Sequence, residues 1–159
     1  MDNVATPKDK KYLRWAQEGA RIFSTCGKRQ YMAIIVDDAG YVVGVGYNGV
    51  PPAFQHCIDG GCPRFKRDSI PGSNYDDCLS NHAEQNAMIN TNGRDAMRGG
   101  TMYINGEPCF GCAKLICNTG LERLVYTSDP EYVYPAWANA EELLERAGIS
   151  LVHIPSEEL

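Results

Sequence analysis

Two short segments constrain this chain more than any other feature of its sequence. His82-Ala83-Glu84 and Pro108-Cys109-Phe110-Gly111-Cys112 each stand where a helix is expected to begin, and a β-rich run, Thr101 to Ile104, lies between them. Cys109 and Cys112 are three apart, so on a first helical turn their sulfurs share a face. The partial positive charge of a helix start also favours the thiolates that a metal requires. One histidine and two cysteines supply three soft-to-borderline ligands, a set that suits tetrahedral Zn2+ with a fourth position open for water, as in a catalytic site. Glu84 is then an unligated carboxylate beside the metal. Each segment alone permits a plainer account. Asn81 can cap the helix with Glu84 as the third residue of a capping box, and Cys-x-x-Cys also occurs in redox and structural zinc sites.

The surrounding pattern says what scaffold holds them. Thr6-Pro7 opens a helix on which Leu13, Ala16, Ala20 and Phe23 recur at helical spacing to about Ser24. Tyr31 to Val36 and Tyr41 to Tyr47 flank Asp37-Asp38-Ala39-Gly40 as a β-hairpin. From His82 onward, helices at about 82–90, 109–119 and 136–146 alternate with strands at 101–104, 123–126 and 149–154, which favours crossover units on a parallel sheet. The expectation is an α/β fold, a three-layer α/β/α sandwich on a mixed five-stranded sheet, built as a single domain over residues 1–159. Between Gly49 and Asp77 the chain is crowded with Gly, Pro, Asp and Ser, and so long a loop needs a functional or covalent reason to be ordered.

Composition removes several function classes. With 43% hydrophobic and 22% charged residues the chain is an ordinary globular one and not a disordered or fibrous one. A net charge of −5 has the wrong sign for holding a polynucleotide by phosphate neutralisation. The longest apolar runs, such as Ala33 to Val36, fall far short of a membrane span, and the opening MDNVATPKDKK has no apolar signal core, so a cytoplasmic protein with no membrane partner is expected. Seven cysteines would suggest disulfides in a secreted chain, but the number is odd and no Asn-x-Ser/Thr acceptor occurs. Reduced thiols and metal binding are the better explanation.

His-x-Glu followed by Pro-Cys-x-x-Cys is the signature of zinc-dependent nucleobase deaminases. More narrowly, the chain resembles deoxycytidylate (dCMP) deaminases of bacterial and phage type. The resemblance is carried by Ser24-Thr25-Cys26 with Arg29-Gln30, Gly46-Tyr47-Asn48-Gly49-Val50-Pro51, His82 to Ala87, Thr101-Met102-Tyr103, Pro108 to Lys114 and Leu124-Val125-Tyr126. It implies a cytidine deaminase-like fold and hydrolytic deamination of dCMP to dUMP for thymidylate synthesis. In that reaction a zinc-activated water attacks C4 of cytosine, and Glu84 carries protons to N3 and to the departing amine. By resemblance Asn48 binds the sugar, Ala83 and Tyr132 contact the substrate, and Lys28 and Arg29 are candidates for its phosphate. Solvated side chains are the plainer account of that last pair.

The same resemblance implies a second, structural zinc held by Cys26, Cys57, Cys62 and Cys78. His56 could replace one thiol, and four free buried thiols are the alternative. Cys117 and His153 read as a small core residue and a surface histidine, and Met32 stands where relatives carry Gly. The resemblance further implies a homo-oligomer, most often a hexamer, with dCTP and Mg2+ activating and dTTP inhibiting at a site that includes Asn48, Gly49 and Asn86. Competing functions are a deaminase of dCTP or deoxycytidine and a non-catalytic zinc-stabilised nucleotide-binding module. Glu84 argues against the last, because a pure binder has no use for an unligated acid beside an open metal position.

Overall fold

The structure is a computed structural model that describes residues 3–66, 70, 74–130, 132 and 134–159. Its sheet has five strands in the order β2-β1-β3-β4-β5, with β1 Met32–Val36, β2 Val42–Tyr47, β3 Thr101–Ile104, β4 Arg123–Tyr126 and β5 Ser150–His153. β1 pairs antiparallel with both β2 and β3, whereas β3, β4 and β5 run parallel. The mixed sheet thus joins an antiparallel hairpin to parallel crossover units, as expected from the pattern.

The helices are α1 Pro7–Phe23, α2 Pro63–Lys66, α3 Ala83–Ile89, α4 Phe110–Ile116 and α5 Trp137–Arg146. Alternation within the strands decides their layers. Ile34, Val36, Tyr103, Val125 and Val152 face one side and bury Leu13, Ala16 and Ala20 of α1. Ala33, Ile35, Met102, Ile104 and Leu124 face the other, where they meet Ala83 and Ala87 of α3, Ala113 and Ile116 of α4, and Ala140 and Leu144 of α5. Met32 belongs to the α1 side. A Cβ on Gly19 would fall 2.1 Å from its Sδ, so this glycine makes the room that Met32 fills.

The region from Gly49 to Asp77 is more structured than its composition suggests, with 3-10 turns at Cys57–Asp59 and Tyr75–Asp77 around α2. Ile58 N–H donates to the Thr25 carbonyl at 3.1 Å, tying this region to the end of α1. Residues 67–69 and 71–73 lie outside the described residues.

Two polar devices fix the frame. At the edge strand, Asn86 and Asn90 of α3 donate through Nδ2 to the carbonyls of Tyr47 and Val45, both at 2.8 Å. On the opposite face Asp9 is buried inside the α1 capping box with Thr6. It also accepts from Arg123 through both oxygens at 2.8 Å and from the Tyr103 hydroxyl at 2.9 Å. Burial alone would raise the Asp9 pKa, but the Arg123 guanidinium and the Thr6 bonds override it and hold the carboxyl at about 2. Its stabilising contribution is therefore complete above its ordinary pKa of 3.8 and is lost as pH falls through about 2. Replacing Arg123 by Leu strands a buried carboxylate and should lower the unfolding free energy by about 3 kcal/mol at pH 7. In urea titrations the gap between the variant and the parent should be constant above pH 5 and shrink between pH 4 and pH 2.

Candidate metal centre and active site

α3 reaches its position because β2 presents glycine where the helix crosses. A Cβ on Gly46 would lie 2.1 Å from the Ala87 nitrogen, and one on Gly44 2.5 Å from the Ala87 carbonyl oxygen. With Ala83 and Ala87 on the helix side, backbone meets backbone. The approach also sets the start of α3. His82 is its N-cap in extended conformation, and its N–H donates to Gln85 Oε1 at 2.8 Å. This corrects the capping account by one residue: neither Asn81 nor Glu84 closes the turn. Asn81 instead donates from Nδ2 to Asn86 Oδ1 at 3.2 Å and forms a β-bridge with Gly49, and Glu84 is left free to turn inward.

Cys109 caps α4 in the same way, its Sγ accepting from Cys112 N–H at 3.4 Å. The two helix starts converge so that His82 Nδ1 lies 3.4 Å from Cys109 Sγ and 3.4 Å from Cys112 Sγ. Tetrahedral zinc, with Zn–N of about 2.0 Å and Zn–S of about 2.3 Å, requires N···S separations of about 3.5 Å. The three donors therefore fit zinc both in chemistry and in spacing. Among the described residues they form the one group of three or more His, Cys, Asp or Glu whose donor atoms lie within 4.8 Å of each other.

The electrostatics favour ligation and proton transfer. The Cys112 thiol donates to Cys109, which chiefly holds the Cys109 pKa at about 4; burial opposes this and the hydrogen bond to His82 adds to it. Cys112 is pushed up for the same reason, so the pair loses its first proton readily at Cys109. Glu84 is 4% exposed and lies beside the Cys112 thiol. Its carboxyl is pushed up to about 7, mainly by burial, which the His82 charge partly offsets.

A cleft of about 490 Å³ lies on the other side of Tyr31. Lys28, Arg29, Tyr31 and Asp129 line it, and Tyr31 is close enough to Glu84 to feel its charge. Arg29 Nη1 is 3.2 Å from Asp129 Oδ2, and its guanidinium lies 4.8 Å from the ring centroid of Tyr132. Tyr132 therefore stacks on the arginine. Asn48 is buried and holds this wall in place. Its Oδ1 accepts from Tyr31 N–H at 2.9 Å and from the Ser24 hydroxyl, and its Nδ2 donates to the Arg29 carbonyl at 2.7 Å. Ala83 is wholly buried. Gly49 and Asn86 are tied to the same element, the first through Asn81 and the second through the Tyr47 carbonyl.

Of the four cysteines expected to hold a structural zinc, all among the described residues, no three have their sulfurs within 4.8 Å of one another, so the structure brings together only part of that set. Cys62 is within hydrogen-bonding reach of Cys57, and Cys26 is close enough to influence Cys57 electrostatically. Ser80 Oγ lies 3.5 Å from Cys57 Sγ, and Cys78 Sγ donates to the Ser80 carbonyl at 3.9 Å. His56 is exposed, Cys117 packs against the core of α4 and α5, and His153 is exposed on β5. Two residues near the site escaped the sequence reading. Tyr31 was read as the start of a strand. Arg64 is buried in α2, and its charge opposes protonation of His82 even though the Cys109 hydrogen bond raises that histidine overall.

Residues 6–128 match the family described as the cytidine and deoxycytidylate deaminase zinc-binding region. The chain belongs to this family. It is 37% identical over 111 residues to the deoxycytidylate deaminase of Mycobacterium phage D29, covering 67% of this chain and 84% of the phage protein. It is 33% identical over 135 residues to the deoxycytidylate deaminase of Schizosaccharomyces pombe, covering 84% of this chain and 40% of the yeast protein. The chain thus spans well under half the length of that yeast relative. The fold is also that of the dCMP deaminase from cyanophage S-TIM5, solved in complex with dCMP and dUMP, with a TM-score of 0.71 at 21% identity over 95% of this chain and all of the phage chain.

Proposed function

We propose that this chain is a zinc-dependent hydrolase that converts dCMP to dUMP and ammonia as a single domain in the cytoplasm. One observation carries the reading: a buried carboxylate, Glu84, lies beside a three-ligand His-Cys-Cys centre, and Tyr31, close enough to feel its charge, lines a cleft that carries Lys28 and Arg29. Zinc bound by His82, Cys109 and Cys112 supplies Lewis acidity that brings a water's pKa near neutrality. Glu84 then moves the protons. Its buried carboxyl accepts a proton from the attacking water and returns protons to ring N3 and to the departing amine. Lys28 and Arg29 take the 5′-phosphate, the Ala83 N–H and the Asn48 amide meet the base and sugar, and Tyr132 orders Arg29.

Ammonia release should be fastest with dCMP, and Glu84→Ala should lose roughly 10³-fold or more in kcat while retaining its zinc. Deoxycytidine turned over as well as dCMP would remove the phosphate role from Lys28 and Arg29.

The proposal includes a structural zinc on Cys26, Cys57, Cys62 and Cys78; the contact of Cys57 with Cys62 supports it, and binding would have to draw the other two thiols in to ligand spacing. Metal analysis should give about two zinc ions per chain, and Cys57→Ser should lose one of them with a large fall in Tm. One zinc in fully active protein would leave the four as ordinary buried thiols.

Regulation is proposed at the turn that carries Asn48 and Gly49, in a homo-oligomer, a hexamer, with dCTP and Mg2+ activating and dTTP inhibiting. The supporting link is short: Gly49 bridges to Asn81, Asn81 to Asn86, and His82 comes next in the chain. An effector that prefers one position of the turn thereby biases His82 and Glu84. Rates against dCMP should become steeper with dTTP and more hyperbolic with dCTP and Mg2+, and a curve unmoved by either would refute regulation alone.

A further inference from the structure

The cationic cleft contains a carboxylate that binding a phosphate does not require. Asp129 lies beside Arg29, 3.2 Å from its Nη1, with a side chain only 19% exposed. The Tyr132 N–H donates to the Asp129 carbonyl at 3.2 Å, closing a tight bridge. On its other side Ser128 donates from Oγ to Glu107 Oε1 at 3.1 Å and meets His153 Nε2 at 2.9 Å. Glu107 in turn accepts from the Tyr134 N–H at 3.4 Å. The segment is therefore pinned before and after Asp129 to the loop that leads into Cys109.

We propose that Asp129 is a specificity-determining residue that restricts the cleft to nucleoside monophosphates. The inference rests on the reading that Lys28 and Arg29 hold the substrate's phosphate. A monoester, with a charge of about −1.5 to −2 at neutral pH, can share Arg29 with Asp129 while Lys28 takes the remaining charge. A second phosphate must enter the same walls, where the fixed carboxylate repels it and already holds one face of the guanidinium. Discrimination thus comes from a built-in repulsive element as much as from attraction. A like charge a few ångströms away in a partly hydrated cleft is worth about tenfold in binding. Arg21, which also lines the cleft, is paired with Glu18 at 2.9 Å in an exposed contact.

The test compares kcat/KM for deoxycytidine, dCMP and dCDP in the parent enzyme, Asp129→Asn and Asp129→Glu, with zinc content and Tm measured for each. Products are separated chromatographically so that dUDP is counted directly. Asp129→Asn should raise the dCDP-to-dCMP ratio by about tenfold, and Asp129→Glu, which keeps the charge, should leave it near the parent value. A ratio unchanged in Asp129→Asn, or raised equally in Asp129→Glu, overturns the proposal. A parent enzyme that prefers deoxycytidine to dCMP would instead overturn the phosphate reading beneath it, and the two failures are read from different columns of the same data.

Discussion

The close approach of α3 to β2 is the constraint on which the metal centre depends. Any side chain at Gly44 or Gly46 would hold the helix off the sheet, and the N-cap at His82 would rise with it. The Cys109 end of α4 is positioned independently, by Ala113 and Ile116 packed on the sheet. The 3.4 Å separations between His82 and the two thiols therefore depend on two helix-to-sheet distances being right together. Packing of small residues and ligand geometry are here one requirement.

That arrangement explains why Glu84 has the properties it has. Released from capping by Gln85, it is carried into a position with little water and its carboxyl rises toward neutrality. A carboxylate left in solvent, with its ordinary lower pKa, would be a weaker base toward an attacking water. Against the same burial, Cys112 donating to Cys109 and His82 beside it make the thiol pair ready to lose a proton, which a metal needs before it can bind.

Much of this was legible in the sequence because its signals are local. Thr6-Pro7, the apolar spacing of α1 and the alternation of strands and helices after His82 state their own structure, and the resulting sheet and layers agree with the expectation. His82, Cys109 and Cys112 were legible as ligands because metal chemistry restricts residue types. What local pattern does not carry is which side of an element a polar group faces. The cap shift from Asn81 to His82 follows from how α3 seats on glycine. The Asn48 amide serves the backbone of Arg29 and Tyr31 because the chain folds back on itself there. Tyr31 and Arg64 reach the site through tertiary contacts that no spacing announces.

The edge of the sheet has a consequence for assembly. β2 is an outer strand, and an outer strand ordinarily offers a row of vacant carbonyls to any extended chain that passes. Here the side chains of Asn86 and Asn90 already occupy the carbonyls of Tyr47 and Val45. A strand arriving from another molecule would have to evict two amides that also anchor the helix of the metal centre. Extension of the sheet through this edge therefore competes with the two contacts that hold α3 against β2.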